Sequence, residues 1–537
     1  MKKIFQLIAL LFAFTYLHAQ SPKIEKSEAF DEPTEGWNKV FQLTNGNTFF
    51  FHFTKRDGID VSVFDKSRKL IANKTLSSEV WNPRKMKNSV IEGLYEINGE
   101  PVLFLMQTEG KVPVLYRIRL DPMTADIVKE SKLGSLPKPD IFSFNAEGDD
   151  IFVEKDPGSD NYAIIYFNGY AKDKSEQIRV VHYNGKHKVI NKAYYDSPDE
   201  NFKYLRFIGA IVDGDKSVYM ATYGASSLKG KDGHVFVARL DAKDSVFYNR
   251  TLDFTEDFKD TKSVMSYNHY NNTIQLLTLS YTTGKNHFFS GSRTSYYLSL
   301  ISYIEPGSLN LLSVKPVLGE KINDYVHTKL GLDENYNGLS QQMIINKDKT
   351  TTILSEEMAE EKVVDQRGNV VSATTFLGAI GVSELNEDGT ERKGYLMVKK
   401  QAAAGILKPL YIATRAKGKW SNQMGYALHN SFLSYDYIST EKNRYILFND
   451  NPRNIDKDED EIKRRLVTGV NKLNTVCYSL PSLDKFYLFG NPESKDVSNA
   501  CYIEASDYNK NNDTYATILI ERNGHDRQAR MVWINFE

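Results

Sequence analysis

The sequence predicts an all-β protein, a β-propeller built of four-stranded blades. Three observations carry the prediction. Eight times a strand-like run reaches a polar turn and continues at once into a second, more apolar run. The turns recur about every 67 residues, the size of a four-stranded unit repeated radially. Long helical periodicity is nearly absent, while short alternating runs rich in Tyr, Phe, Val and Ile follow one another throughout, the period-2 pattern of strands.

Each unit is read as four strands, A to D. The A–B turns are Asn45-Gly46, Asn98-Gly99, Glu147-Gly148-Asp149, Asp213-Gly214, Asn271-Asn272, Lys347-Asp348-Lys349, Glu441-Lys442-Asn443 and Asn511-Asn512-Asp513. Asn, Asp and Gly tolerate the positive φ of tight hairpin turns. The B strands are TFFFHF (48–53), PVLFLM (101–106), DIFVEK (150–155), SVYMATY (217–223), TIQLLTLSY (273–281), TTTILSEE (350–357), RYILFND (444–450) and TYATILIE (514–521). A third run follows each hairpin, from DVSVFD (60–65) to ARMVWINF (529–536), and in most units a weaker fourth. The count is eight blades, with seven as the alternative. The eighth unit stops at its C strand, so its outer strand is expected from the N-terminus, around Lys23 to Phe30, leaving no open sheet edge. Tandem β-sandwiches are the rival architecture. They would show about seven strands per ~100 residues with linkers between them, and no Pro/Ser/Gly-rich linker is present. Residues 401–430 exceed a short connection and read as an insertion, with a short helix expected at Ser421–His429.

Residues 1–20 read as a secretory signal: Lys2 and Lys3, an apolar stretch from Ile4 to Leu17, and Ala19 before the cut. The mature propeller domain would then run over 21–537, exported to the periplasm or associated with the outer membrane. No later segment has the ~18 apolar residues of a spanning helix. With 68 basic and 69 acidic residues, the chain lacks the concentrated positive charge that nucleic acid requires. Cys477 and Cys501 are the only cysteines. Two buried thiols or one disulfide are both open, and a catalytic thiol is disfavoured.

In this architecture the B–C loops and the D–A connections emerge on one face, and the A–B and C–D turns on the other. The A–B turns are tight, and the B–C loops read as long and irregular, above all in units 3, 5, 6 and 7. Long loops on a rigid scaffold are where binding and catalysis are placed. Candidate contacts for a ligand or partner are His287, Phe288 and Arg293 in the unit 5 loop and Asp450, Asn451, Arg453 and Asn454 in the unit 7 loop. Glu356 and Glu357 resemble the paired acids of a glycosidase, but neighbours in a strand point to opposite faces. A solvated charge run is therefore the expectation there. Asp456, Asp458 and Asp460 alternate in a way that could hold calcium. Glu461 stands where the loop motif wants Gly, and Lys457, Lys463, Arg464 and Arg465 neutralise the acids. A salt-bridged loop is preferred. The scattered histidines form no spaced ligand set, and no phosphate loop or nucleophile elbow occurs.

The signal ending in Ala19-Gln20, the Tyr/Phe/Asn/Lys-rich strands and the FNDNPRN stretch (448–454) resemble secreted propeller-type proteins of Bacteroidota. The resemblance implies export across the inner membrane and a propeller fold, and carries over no catalytic residues. The function expected is an exported, non-catalytic binding or scaffold protein that uses the B–C face to hold an envelope protein or glycan, without a cofactor. The alternatives are a polysaccharide hydrolase or lyase with acids at the channel mouth, and a calcium-stabilised structural module.

Overall fold

The computed structural model describes residues 22–536, except 34, 138–148, 170, 172, 198–201, 203, 227–232, 253–261, 283–295, 417–430, 455–463, 470–471 and 493–496. Eight antiparallel sheets follow one another along the chain, each a four-stranded meander, with one extra strand added to the sixth and the inner strand of the eighth in two pieces. Blade 1 has strands Trp37–Gln42, Thr48–Thr54, Gly58–Phe64 and Leu70–Thr75. The sheets are the blades of a propeller. The chain closes it: Lys23–Lys26 pairs antiparallel with Asp526–Asn535, Lys23 opposite Asn535 and Lys26 opposite Val532. That N-terminal strand is the fourth strand of blade 8, so the last sheet has no bare outer edge.

Among the described residues, eight core clusters are layers shared by two neighbouring blades, and two smaller ones sit under the insertion and under the helix on blade 6. Phe49, Phe51 and Phe53 of blade 1 pack with Ile91, Leu103 and Leu105 of blade 2. Val102 and Phe104, the alternate residues of the same blade 2 strand, pack with Ile164 and Tyr166 of blade 3. The pattern continues round the ring to Val40, Phe50 and Phe64, which meet Ile518, Met531 and Trp533 of blade 8. A strand covered on both faces reads as a near-continuous apolar run. This is the physical reason that the second run of each unit is the more hydrophobic. Closure also has polar contacts: Gln42 N–H donates to Asp507 at 2.8 Å and the Trp533 indole N–H to Thr48 at 2.9 Å.

Two expectations need correction. In blade 3, DIFVEK is the inner strand, paired from Asp149 to Lys155 with Tyr162–Asn168. Its A–B turn is Asp156–Asn161, held by Asp156, whose carboxylate accepts from Gly158 N–H at 2.9 Å and Ser159 Oγ at 2.5 Å. In blade 6 the B–C segment is no irregular loop. Thr351–Val364 and Val370–Leu385 run on past the blade as a paired hairpin. Within the insertion, Gln401–Ala404 adds a fifth strand to that hairpin, opposite Thr374–Leu377. A helix forms at Tyr411–Ala416; the expected helix at 421–429 lies outside the described residues. Both cysteines are free and buried. Among the described residues no helix is long and apolar enough to cross a membrane.

Candidate functional site

Glu356 is the residue around which the B–C face of blades 6 and 7 is organised. It sits where strand B leaves the blade, opposite Ile380, and a bulge follows before Met358 pairs with Leu377. The bulge separates the two neighbouring acids. Glu357 turns to accept the Ala379 N–H at 3.0 Å, while Glu356 points inward and is fully buried. The expected solvated charge run is thus corrected at its first member. A carboxylate without water needs a cation and donors, and here Lys399 supplies the ion pair, itself fully buried. The Tyr411 hydroxyl donates at 2.7 Å and the Ser434 hydroxyl donates to the other oxygen. Lys399 also donates to Gln401 at 3.3 Å, and Gln401 to the Asn449 carbonyl at 2.8 Å. Burial pushes the Lys399 ammonium down, opposed by Glu356 and Asp450.

Asn449 continues the network into blade 8. Its amide donates to the carbonyls of Phe432 at 2.9 Å and Cys501 at 2.7 Å. Its oxygen accepts from Thr475 Oγ1 at 2.7 Å and Cys501 N–H at 3.2 Å. All four hydrogen-bonding positions of the side chain are filled. Asp450 follows, buried, accepting from Asn451 N–H and Asn454 Nδ2, both at 2.8 Å, with Arg464 at 3.5 Å. Burial pushes its carboxyl up. Asn454 imitates a strand neighbour: it donates to the Arg465 carbonyl and accepts the Arg465 N–H. Asn454 and Arg465 are therefore stapled together.

Of the residues singled out from sequence, Asp450 and Asn454 build this frame. Asn451 is half-buried and Arg453 exposed beside it. His287, Phe288 and Arg293, and likewise Asp456, Asp458 and Asp460, lie outside the described residues. Among the described residues no group of three or more His, Cys, Asp or Glu is placed to hold a metal. Lys399, Tyr411 and Ser434 were not anticipated, and Arg464, expected to neutralise the loop acids, pairs instead with Asp450. For Lys399 the signal was a charge closing the apolar run YLMVKKQ at 395–401, because a buried charge requires a partner; Tyr411 and Ser434 carried no such signal.

A lysine with a lowered pKa beside Glu, Tyr and Ser has the composition of a proton-transfer site. In this arrangement Glu356, Lys399 and Ser434 are enclosed. The network instead fixes the added strand and the start of the insertion to the blade ends. What that frame presents to solvent is the blade 6 hairpin. Its tip, turned at Asp365–Gly368, carries Val363, Val364, Val370 and Val371, the last 68% exposed.

No protein-family model matches the chain, and no curated protein matches it. Solved structures do. Prolyl oligopeptidase B from Galerina marginata, bound to a 25mer macrocyclization substrate, is 8% identical with a TM-score of 0.40, over 94% of this chain and 56% of that one. The polysaccharide lyase Uly1 is 8% identical with a TM-score of 0.36, over 83% of this chain and 90% of that one. A DUF4221-family protein from Bacteroides vulgatus is 12% identical with a TM-score of 0.28, over 71% and 88%. The chain spans about half the length of the prolyl peptidases it matches.

Proposed function

We propose that this chain is an exported, non-catalytic binding or scaffold protein of the cell envelope, and that its B–C face takes up a protein or glycan partner. One observation carries the reading: the B–C face holds the elements that project beyond the blades, above all a paired hairpin tipped with four exposed valines. Exposed apolar side chains on an ordered element mark a contact surface. Asn451 and Arg453 stand on the same face, and His287, Phe288 and Arg293 of blade 5 are proposed to join them. The buried pairs Glu356–Lys399 and Asp450–Arg464 hold this surface in one shape, which lowers the ordering cost of binding. The alternative, a polysaccharide hydrolase or lyase, gains no support from Glu356 and Asp450, because each is enclosed with a cationic partner.

The test is capture from an envelope fraction. One variant replaces residues 363–372 by Asn-Gly, closing the hairpin at the facing pair Lys362 and Ala373; another is Arg453→Ala. The mature protein is expected to retain a defined partner, and the trimmed variant to lose it by tenfold or more at unchanged melting temperature. Equal capture by all three proteins, or no capture by any, would overturn the reading.

A further inference from the structure

The opposite face has a different character. Between blades 6 and 7, bordered by the A–B turns of blades 5 to 8, lies a cleft of about 610 Å³. Lys347, Arg392, Lys393, Lys442, Arg444 and Lys510 line it, against the acids Asp348, Glu384, Glu441 and Asp513. The acids are engaged. Glu384 pairs with Arg444, Glu441 with Lys347 at 2.8 Å, and Asp348 lies 3.9 Å from Arg392. Asp513 accepts the Tyr508 hydroxyl. Among the described residues no ion pair takes up Lys393, Lys442 or Lys510. These three lysines are exposed, one on each of three consecutive blades. Lys510 keeps an exposed side chain, but its seat in the cleft partly desolvates the ammonium and pushes it down. Tyr270, at the blade 5 turn, stands on the same rim, 49% exposed.

We infer that this cleft binds an anionic polysaccharide, a polymer of sugars carrying carboxylates. The distribution of these charges over three blades points to the class of ligand. Unpaired ammonium groups on three separate blades match charges repeated along a chain, whereas a single small anion is held by converging or bidentate donors. An exposed aromatic ring on the rim offers a sugar its flat apolar face. The site is independent of the B–C surface, since none of its residues belongs to that face.

Polygalacturonate is the probe, with dextran as the neutral control and polyglutamate as an acidic peptide, in affinity electrophoresis of the whole mature protein. Retardation by polygalacturonate and not by dextran is expected, weakening as salt screens the lysines. Replacing Lys393, Lys442 and Lys510 together by Glu should weaken it tenfold or more. These side chains are exposed, and an unchanged melting temperature verifies the fold. Tyr270→Ala should weaken polygalacturonate binding several-fold. No retardation, unchanged binding by the triple variant, or polyglutamate bound as tightly as polygalacturonate would overturn the inference.

Discussion

Asn449 and Glu356 show how single side chains hold this molecule in register. Each is fully buried and each joins segments far apart in sequence. Removing one member of a buried pair leaves the other charge without water or partner, at a cost of about 3–5 kcal/mol. Glu356→Gln should therefore destabilise by that amount in denaturant unfolding. The double variant Glu356→Gln, Lys399→Met should recover much of the loss; a fully additive double variant would contradict the pairing. His187 provides a pH-dependent counterpart. Burial, then the charges of Arg117 and Arg119, push its imidazole down to about 4 from 6.5. The unfolded chain thus binds the proton between those values and the folded one does not. Stability is full above about pH 6.5 and falls as pH drops toward about 4, by about 2 kcal/mol after allowance for partial exposure. His187 has φ +61°, a conformation Asn accepts, so His187→Asn should flatten the pH dependence of the melting temperature across that window. An unchanged slope would assign the effect elsewhere. Burial also pushes both thiols up, Cys501 to about 12. Neither should react with a thiol reagent until the protein is unfolded.

At the scale of elements, the strands show which features the sequence carried. B strands such as Thr48–Thr54 and Ser217–Ala225 were legible because burial on both faces makes them continuously apolar between turns rich in Asn and Gly. Blade 3 was misphased for a related reason. Glu147-Gly148-Asp149 has the composition of a hairpin turn, while the true turn, Asp156–Asn161, is defined by side-chain bonds from Asp156 that composition does not distinguish. The blade 6 hairpin was misjudged because Glu360, Glu361 and Lys362 are exposed edge residues, and charges on an edge strand resemble a loop. The buried network was the least legible part. Glu356, Lys399, Tyr411, Ser434 and Arg464 are brought together by packing between blades, not by local spacing. The N-terminal strand was anticipated from the missing outer strand of the last unit. Deleting residues 22–27 should expose the edge of Asp526–Asn535, lower the melting temperature and cause concentration-dependent aggregation. A truncated protein that melts at the parent temperature as a monomer would contradict closure by that strand.

The whole molecule is a ring of interblade layers, so stability is distributed rather than central. Phe51, fully buried between blades 1 and 2, should cost about 3–5 kcal/mol on replacement by Ala. The two faces of the ring divide the work: one carries the projecting hairpin and the framed loops, the other tight turns around a basic cleft. The proposed partner belongs to the first. Cross-linking of the mature protein in its own envelope with an amine-reactive reagent tests that assignment most directly, because exposed lysines mark both faces. Links to a protein partner are expected from Lys55, Lys85, Lys111 and Lys362 on the B–C face. Links arising instead from Lys66, Lys216, Lys347 and Lys349, on the turns of the other face, would contradict it.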